Sequence, residues 1–156
     1  MRILLLLILL SACWSSPPAR PVVGAPAPSI SSVQLGGAPF ELREQRGKPV
    51  VLVFWASWCG PCRQEVPELA SLVERFGEQA AFFSVNAGET PPVAARAAKS
   101  WGITWPVVFD PDAKIQADYH VDAIPLLIIV DAEGMIRFRG LGLPPDAVAI
   151  LEGLLP

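Results

Sequence analysis

The chain has 156 residues, enough for one domain with a short appendage, and 52% of them are hydrophobic, ample material for a core. Twelve Lys and Arg against fifteen Asp and Glu leave a formal charge of −3. That balance has no basic surplus to hold a polyanion, so nucleic acid is excluded as an expected partner.

Residues 1–12 read as an export signal rather than as part of a fold. Met1-Arg2 is a minimal basic start, residues 3–10 are an apolar run, and Ser11-Ala12 are small residues before Cys13. The run is too short to span a bilayer, which takes about 20 residues. Residues 13–28 hold five prolines (Pro17, Pro18, Pro21, Pro26 and Pro28) among Ser, Ala and Gly, a composition that stays extended and reads as a tether. The folded domain is expected over residues 29–156.

Short apolar alternations at 31–35 and 40–42 flank Gly36-Gly37 and predict a hairpin. Residues 50–55 are an unbroken apolar run rich in β-branched and aromatic types, which suits a strand buried on both faces. Over residues 60–76 the period becomes helical, with Val66, Leu69, Leu72, Val73 and Phe76 on one stripe, and Pro67 inside it predicts a kink. A second apolar strand at 80–85 ends on Asn86-Ala87-Gly88-Glu89. Thr90-Pro91 then reads as N-cap and first helical residue of a helix whose stripe is Val93, Ala94, Ala97, Ala98 and Trp101.

A strand at 106–109 and a short helix at 113–119 follow, and residues 126–130 form another wholly apolar strand directly after Ile124-Pro125. Residues 131–134 have turn chemistry, and residues 135–139 alternate, which predicts a hairpin with Ile136 and Phe138 on one face and Arg137 and Arg139, solvated, on the other. A last helix is expected within 144–155. Strands and helices in this succession predict an α/β sandwich. His120 reads as a surface residue, and Trp101 and Trp105 as core.

The chemistry concentrates in Trp58-Cys59-Gly60-Pro61-Cys62, between the buried strand and the first long helix. There the first-turn N–H groups lack partners and the macrodipole favours negative charge, so a thiolate at Cys59 is stabilised. Cys62 lies three residues on, on the same helical face, so the two sulfurs can close a short ring. Pro61 fits the first turn, and Trp58 is placed to shield one side of the pair. The pair reads as a redox dithiol in which Cys59 attacks a disulfide and Cys62 resolves the mixed disulfide. A zinc site is the poorer reading, because zinc wants four ligands and the chain has three cysteines and one histidine. A structural staple across so short a loop constrains the unfolded chain little. Export would place the pair where disulfides persist.

Two resemblances extend this reading. Leu10-Ser11-Ala12-Cys13 resembles the bacterial lipobox, which implies cleavage before Cys13 and lipidation of its thiol; the other reading is a simple signal peptide. Cys-Gly-Pro-Cys, the helix with its internal proline, and the X-Pro step before a strand and hairpin resemble the thioredoxin fold, and within it the TlpA/ResA-like thiol-disulfide oxidoreductases. The residues that carry the second resemblance also include 24–28, 47–55, 85–89, 105–108 and 131–134.

That family implies a thioredoxin-like three-layer sandwich, with an inserted helix and strand between the first βαβ unit and the C-terminal hairpin. Thioredoxins carry an acid where this chain has Val53, and the family's buried carboxylate matches Glu89, expected in an apolar pocket with a raised pKa as a proton shuttle. Pro125 matches a cis-proline facing the dithiol, which frees the Ile124 backbone to pair with an extended partner, with Trp58 beside it. Leu126-Leu127 replace the Thr or Ser that many relatives carry after this proline.

The chain is expected to be a monomeric, membrane-anchored protein on the extracytoplasmic (periplasmic) side, without a cofactor. It is expected to be a reductant by its Gly60-Pro61, the pair that thioredoxin carries between its cysteines, and the family implies its partners. It would be supplied by a polytopic membrane thiol carrier and act on disulfide-bearing clients such as apocytochrome c. Two alternatives stay open. One is a peroxiredoxin-like peroxidase, although Ala56 stands where those enzymes carry Thr; the other is a non-catalytic thioredoxin-like binding module.

Overall fold

The structure, a computed structural model, describes residues 20–155. The export signal at 1–12, Cys13 and the first part of the tether lie outside the described residues. The elements are β1 (Ser31–Gln34), β2 (Pro39–Glu41), β3 (Val50–Trp55), α1 (Gly60–Phe76), β4 (Ala81–Ala87), α2 (Pro91–Trp101), β5 (Val107–Asp110), α3 (Lys114–Asp118), β6 (Leu126–Val130), β7 (Ile136–Leu141) and α4 (Ala147–Glu152). One sheet of seven strands runs in the order β2-β1-β5-β4-β3-β6-β7.

The uninterrupted apolar runs take the middle of that sheet because they alone can be covered on both faces. β3 pairs in parallel with β4 and antiparallel with β6, and all six residues of β3 and all five of β6 are buried. Alternate side chains go to opposite layers. Val50, Leu52 and Phe54 join Ile115, Tyr119, Phe40 and Ile30 on one face, while Val51 and Val53 pack with Val66, Leu69 and Leu72 of α1 and Leu151 of α4 on the other. Leu52 and Leu127 are wholly buried, each contributing about 1.5–3 kcal/mol relative to an exposed side chain. The result is the expected three-layer α/β sandwich. In it, α2 and β5 are the inserted pair: β5 joins β4 in parallel and takes β1 antiparallel, linking the N-terminal hairpin to the sheet.

Several local expectations changed once the chain packed. Pro67 lies inside α1, as its place in the helical pattern led one to expect, and Ser71 Oγ donates to its carbonyl at 3.1 Å; other details differ. Thr90 holds the N-cap place of α2 but makes no side-chain cap bond, and of the expected stripe only Ala94 and Ala98 are buried, with Val93 39% exposed. Residues 24–27, read as tether, are paired: Gly24 N–H donates to Ile136 O, Ile136 N–H to Ala25 O, and Ala27 N–H to Gly134 O.

β7 departs from simple alternation. Its register against β6 shifts between Ile129, opposite Phe138, and Val130, opposite Ile136, so Arg137 is an extra residue in the ladder. Ile136 therefore enters one core layer and Phe138 the other, not a shared face. Neither arginine is simply solvated: Arg137 Nε donates to Asp131 Oδ2 at 2.5 Å, and Arg139 Nη2 donates to the carbonyl of His120 at 2.8 Å. His120 itself sits at a positive φ of 47°.

Candidate active site

Strand register assembles the site. β3 ends at Trp55, and the turn that follows brings Cys59 to the start of α1. Cys59 N–H donates to Ala56 O at 3.0 Å, which closes that turn, and Cys59 is the N-cap of α1. Antiparallel pairing of Phe54 with Leu126 carries Pro125 to the level of Trp55, and parallel pairing of Trp55 with Asn86 carries the end of β4 alongside the same turn. Three segments distant in sequence thus meet at one end of the sheet.

Cys59 and Cys62 form a disulfide, with Cα atoms 5.3 Å apart, and the N–H of Cys62 donates to Cys59 Sγ at 3.2 Å. Such a donor favours negative charge on Cys59 Sγ once the bond is reduced. Both cysteines are buried, in a cluster with Trp55, Ala98 and Val107, bordered by Leu35, Trp101 and Ile124. The Trp55 and Trp101 rings lie 5.0 Å apart, and Trp105 is buried, as expected of core residues. Trp58, expected to shield one side of the pair, is 72% exposed. The Ile124-Pro125 peptide is cis, and Pro125 O accepts from Gly142 N–H at 2.9 Å.

Glu89 is half-buried, but in polar company rather than in an apolar pocket. Its Oε2 accepts from Ser57 N–H at 2.7 Å and Asn86 Nδ2 at 2.9 Å, and its Oε1 accepts from Ser57 Oγ at 2.5 Å. Burial pushes its pKa up, yet the bonds from the Ser57 hydroxyl, the Asn86 amide and the Ser57 N–H outweigh burial and hold it below the usual glutamate value. The expected raised pKa is therefore reversed, because the carboxylate is solvated by donors from the dithiol turn and from β4. Ser57 was missed by sequence reasoning, since a serine in a turn carries no signal of what it will hold. Asn86 had one: it is polar at the end of an apolar strand.

A second carboxylate lies on the same helix as Cys62. Glu65, one turn beyond Cys62, accepts Leu143 N–H on Oε1 at 3.2 Å, while its buried Oε2 has no hydrogen-bond partner. Burial raises its pKa against the opposing Leu143 bond, and Glu68 adds to the rise. The folded protein therefore holds this proton more tightly than the unfolded chain, and stability falls as pH rises from the ordinary carboxyl value through the raised one. Glu65→Gln is expected to keep the bond to Leu143 and remove that loss. Its Tm should equal or exceed that of the parent at pH 7, with the difference vanishing near pH 4, as thermal melts across pH would show.

Among the described residues no three His, Cys, Asp or Glu side chains gather as metal ligands, and no helix is long and apolar enough to cross a membrane. A buried dithiol closed across the first turn of a helix, with Ile124 of a cis Ile124-Pro125 step packed against its cluster, is built for thiol-disulfide exchange, and the class it defines is a thiol-disulfide oxidoreductase. The Redoxin family model matches residues 22–155. The thioredoxin-like protein YneN of Bacillus subtilis is 37% identical over 117 residues, 73% of this chain and 68% of that protein. ResA, a thiol-disulfide oxidoreductase of Geobacillus kaustophilus, is 30% identical over 166 aligned positions, covering 100% of this chain and 95% of its own. The crystal structure of the thioredoxin domain of a thiol-disulfide oxidoreductase from Bacteroides vulgatus superposes with a TM-score of 0.78 at 25% identity, covering 86% of this chain and 99% of that one. The chain belongs to the Redoxin family, with a thioredoxin-like fold and the ResA type of thiol-disulfide oxidoreductase as its relatives.

Proposed function

We propose that the chain is an extracytoplasmic, lipid-anchored reductant of partner-protein disulfides. The observation that carries the chemistry is the bond from Cys62 N–H to Cys59 Sγ at the head of α1. It favours Cys59 as the thiolate that attacks, leaving Cys62 to resolve. Gly60-Pro61 between the cysteines is the pair found in thioredoxin, whose potential of about −270 mV marks a reductant, against about −120 mV for a strong periplasmic oxidant.

Location and anchoring rest on residues 1–13, the apolar run and Leu10-Ser11-Ala12-Cys13. Cleavage before Cys13 leaves a lipid-modified terminus, and the proline-rich stretch spaces the domain from the membrane. Electrons pass from thiol to thiol without a cofactor, from a polytopic membrane thiol carrier to a client such as apocytochrome c, with the protein acting as a monomer. The exposed indole of Trp58 and the Ile124-Pro125 step flank the disulfide and form the surface on which an extended client segment pairs.

Glu89 serves as the ionised proton acceptor of the site. Its depressed pKa keeps it charged through neutrality, so exchange that depends on it weakens only as pH falls through that low value. Glu89→Gln is expected to slow reduction of a disulfide peptide about tenfold or more and to abolish the acid limb of the pH-rate profile. An unchanged profile would remove Glu89 from the mechanism. The reading as a whole is tested by the reduction potential of the Cys59/Cys62 couple against glutathione and dithiothreitol buffers across pH. A value near thioredoxin's is expected, and a value near the strong oxidants would reverse the direction of electron flow.

A further inference from the structure

Beneath Cys62, between the sheet and α1, lies a small cavity lined in part by Val53, Trp55, Ser84, Trp101 and Trp105. The space open to the centre of a water-sized sphere is about 10 Å³, room for one water. Besides Cys62, two of its lining residues, Ser84 and Trp55, offer polar groups. Ser84, 2% exposed, accepts a hydrogen bond from Trp105 Nε1 at 2.8 Å, which leaves its own O–H to be donated. Trp55 is also 2% exposed, and its Nε1–H is buried with no hydrogen-bond partner. A buried N–H left unpaired costs roughly 1–3 kcal/mol, so Trp55, which lines the same cavity as a polar hydroxyl and a reactive sulfur, has a partner to gain there.

We propose that this cavity binds one water, held by Ser84 Oγ and Trp55 Nε1, which donates a hydrogen bond to the Cys62 thiolate. Ser84 is then a positioning residue for the resolving step. Three polar partners, Ser84, Trp55 and Cys62, are what a buried water of this kind requires. The register makes the placement direct, because Val53 of β3 stands opposite Ser84 of β4 on the face that α1 covers.

The Cys59 thiolate attacks the client disulfide, forming the Cys59–client bond and expelling one client thiolate. The Cys62 proton ends on that thiolate, whether or not Glu89 relays it. The resulting Cys62 thiolate, stabilised by the water, attacks Cys59 Sγ and expels the second client sulfur as a thiolate. The client has gained two electrons and one proton, and the protein is left with the Cys59–Cys62 disulfide. Among the cavity's lining residues only Cys62 ionises. Of the carboxylates nearby in the fold, Glu89 is held by Ser57 and Asn86 and Glu65 by Leu143 on one oxygen, and Arg63 of α1 is exposed. The inference presupposes only dithiol exchange and holds for either direction of electron flow, so it can fail while the reductant reading stands.

The test follows both steps in the reduced full chain with a disulfide peptide as probe, using acid quench and mass analysis to count free and mixed-disulfide protein across pH. In Ser84→Ala the resolving step is expected to slow about tenfold at neutral pH, and its pH midpoint to rise by about one unit, while the first attack by Cys59 is unchanged. Ser84→Thr, which keeps the hydroxyl, should restore most of the rate. Trp55→Phe removes the other donor and should raise the midpoint in the same direction. A resolving profile that coincides with the parent's in either folded variant overturns the proposal, as does equal slowing of both steps.

Discussion

Cys59→Ser is expected to bring disulfide exchange down to the uncatalysed background, whereas Cys62→Ser should accumulate a mixed disulfide between Cys59 and the client. The asymmetry follows from the helix terminus. Cys59 is the N-cap residue, and its sulfur already accepts the N–H of Cys62, so charge on that sulfur is met by a fixed donor and by the positive end of α1. Serine at 59 has no accessible anion at neutral pH and cannot attack. Serine at 62 leaves the first step intact and removes the second, since its hydroxyl cannot displace the client from Cys59. Non-reducing gels of each variant with a disulfide peptide separate the two outcomes. Partner capture undiminished in a variant lacking both sulfurs would instead favour a non-catalytic binding module.

Asp131→Ala is expected to cost about 2–4 kcal/mol, a fall in Tm on the order of 10 °C. Asp131 is 4% exposed at the β6–β7 turn and accepts from Glu133 N–H at 3.0 Å, Met135 N–H at 2.8 Å and Arg137 Nε at 2.5 Å. The alanine variant would strand two turn amides and unpair an arginine that is itself half exposed, which moderates the loss. The turn also receives Gly47 N–H on Ala132 O and Arg46 Nη1 on Glu133 O, and so ties the hairpin to the start of β3.

Burial pushes the Asp131 carboxyl up, but the Met135 N–H, Arg137 and the Glu133 N–H together hold it below its ordinary value. A depressed carboxyl stabilises the fold above the ordinary pKa and loses that contribution as pH falls through the folded value. The deficit of the variant should therefore be full at pH 7 and shrink in acid. Chemical denaturation at two pH values checks both points. A deficit that does not change with pH would place the effect in packing rather than charge.

Much of the architecture was legible because its signals are local. The apolar runs at 50–55 and 126–130 could only be covered strands, the Gly36-Gly37 hairpin formed as read, and Cys59-Gly60-Pro61-Cys62 fell at the strand-to-helix junction where its chemistry is supported. β7 was misread because a single unpaired residue, Arg137, reverses which face its neighbours occupy, and alternation in the sequence is the same with or without it. Residues 24–27 looked like tether because pairing with the hairpin depends on a partner more than a hundred residues away.

The sequence by itself determined the strands, the helix that follows the dithiol, and the chemistry of two thiols three residues apart, since each depends on neighbours along the chain. The tertiary structure alone decided the environment of that chemistry. Only folding brings Ser57 and Asn86 onto Glu89 and turns an expected apolar acid into an ionised one, and only folding sets Ser84 and Trp55 around a cavity under Cys62. Acidity and hydrogen bonding depend on atoms within a few ångströms, and here those atoms come from separate strands whose meeting is settled by sheet register.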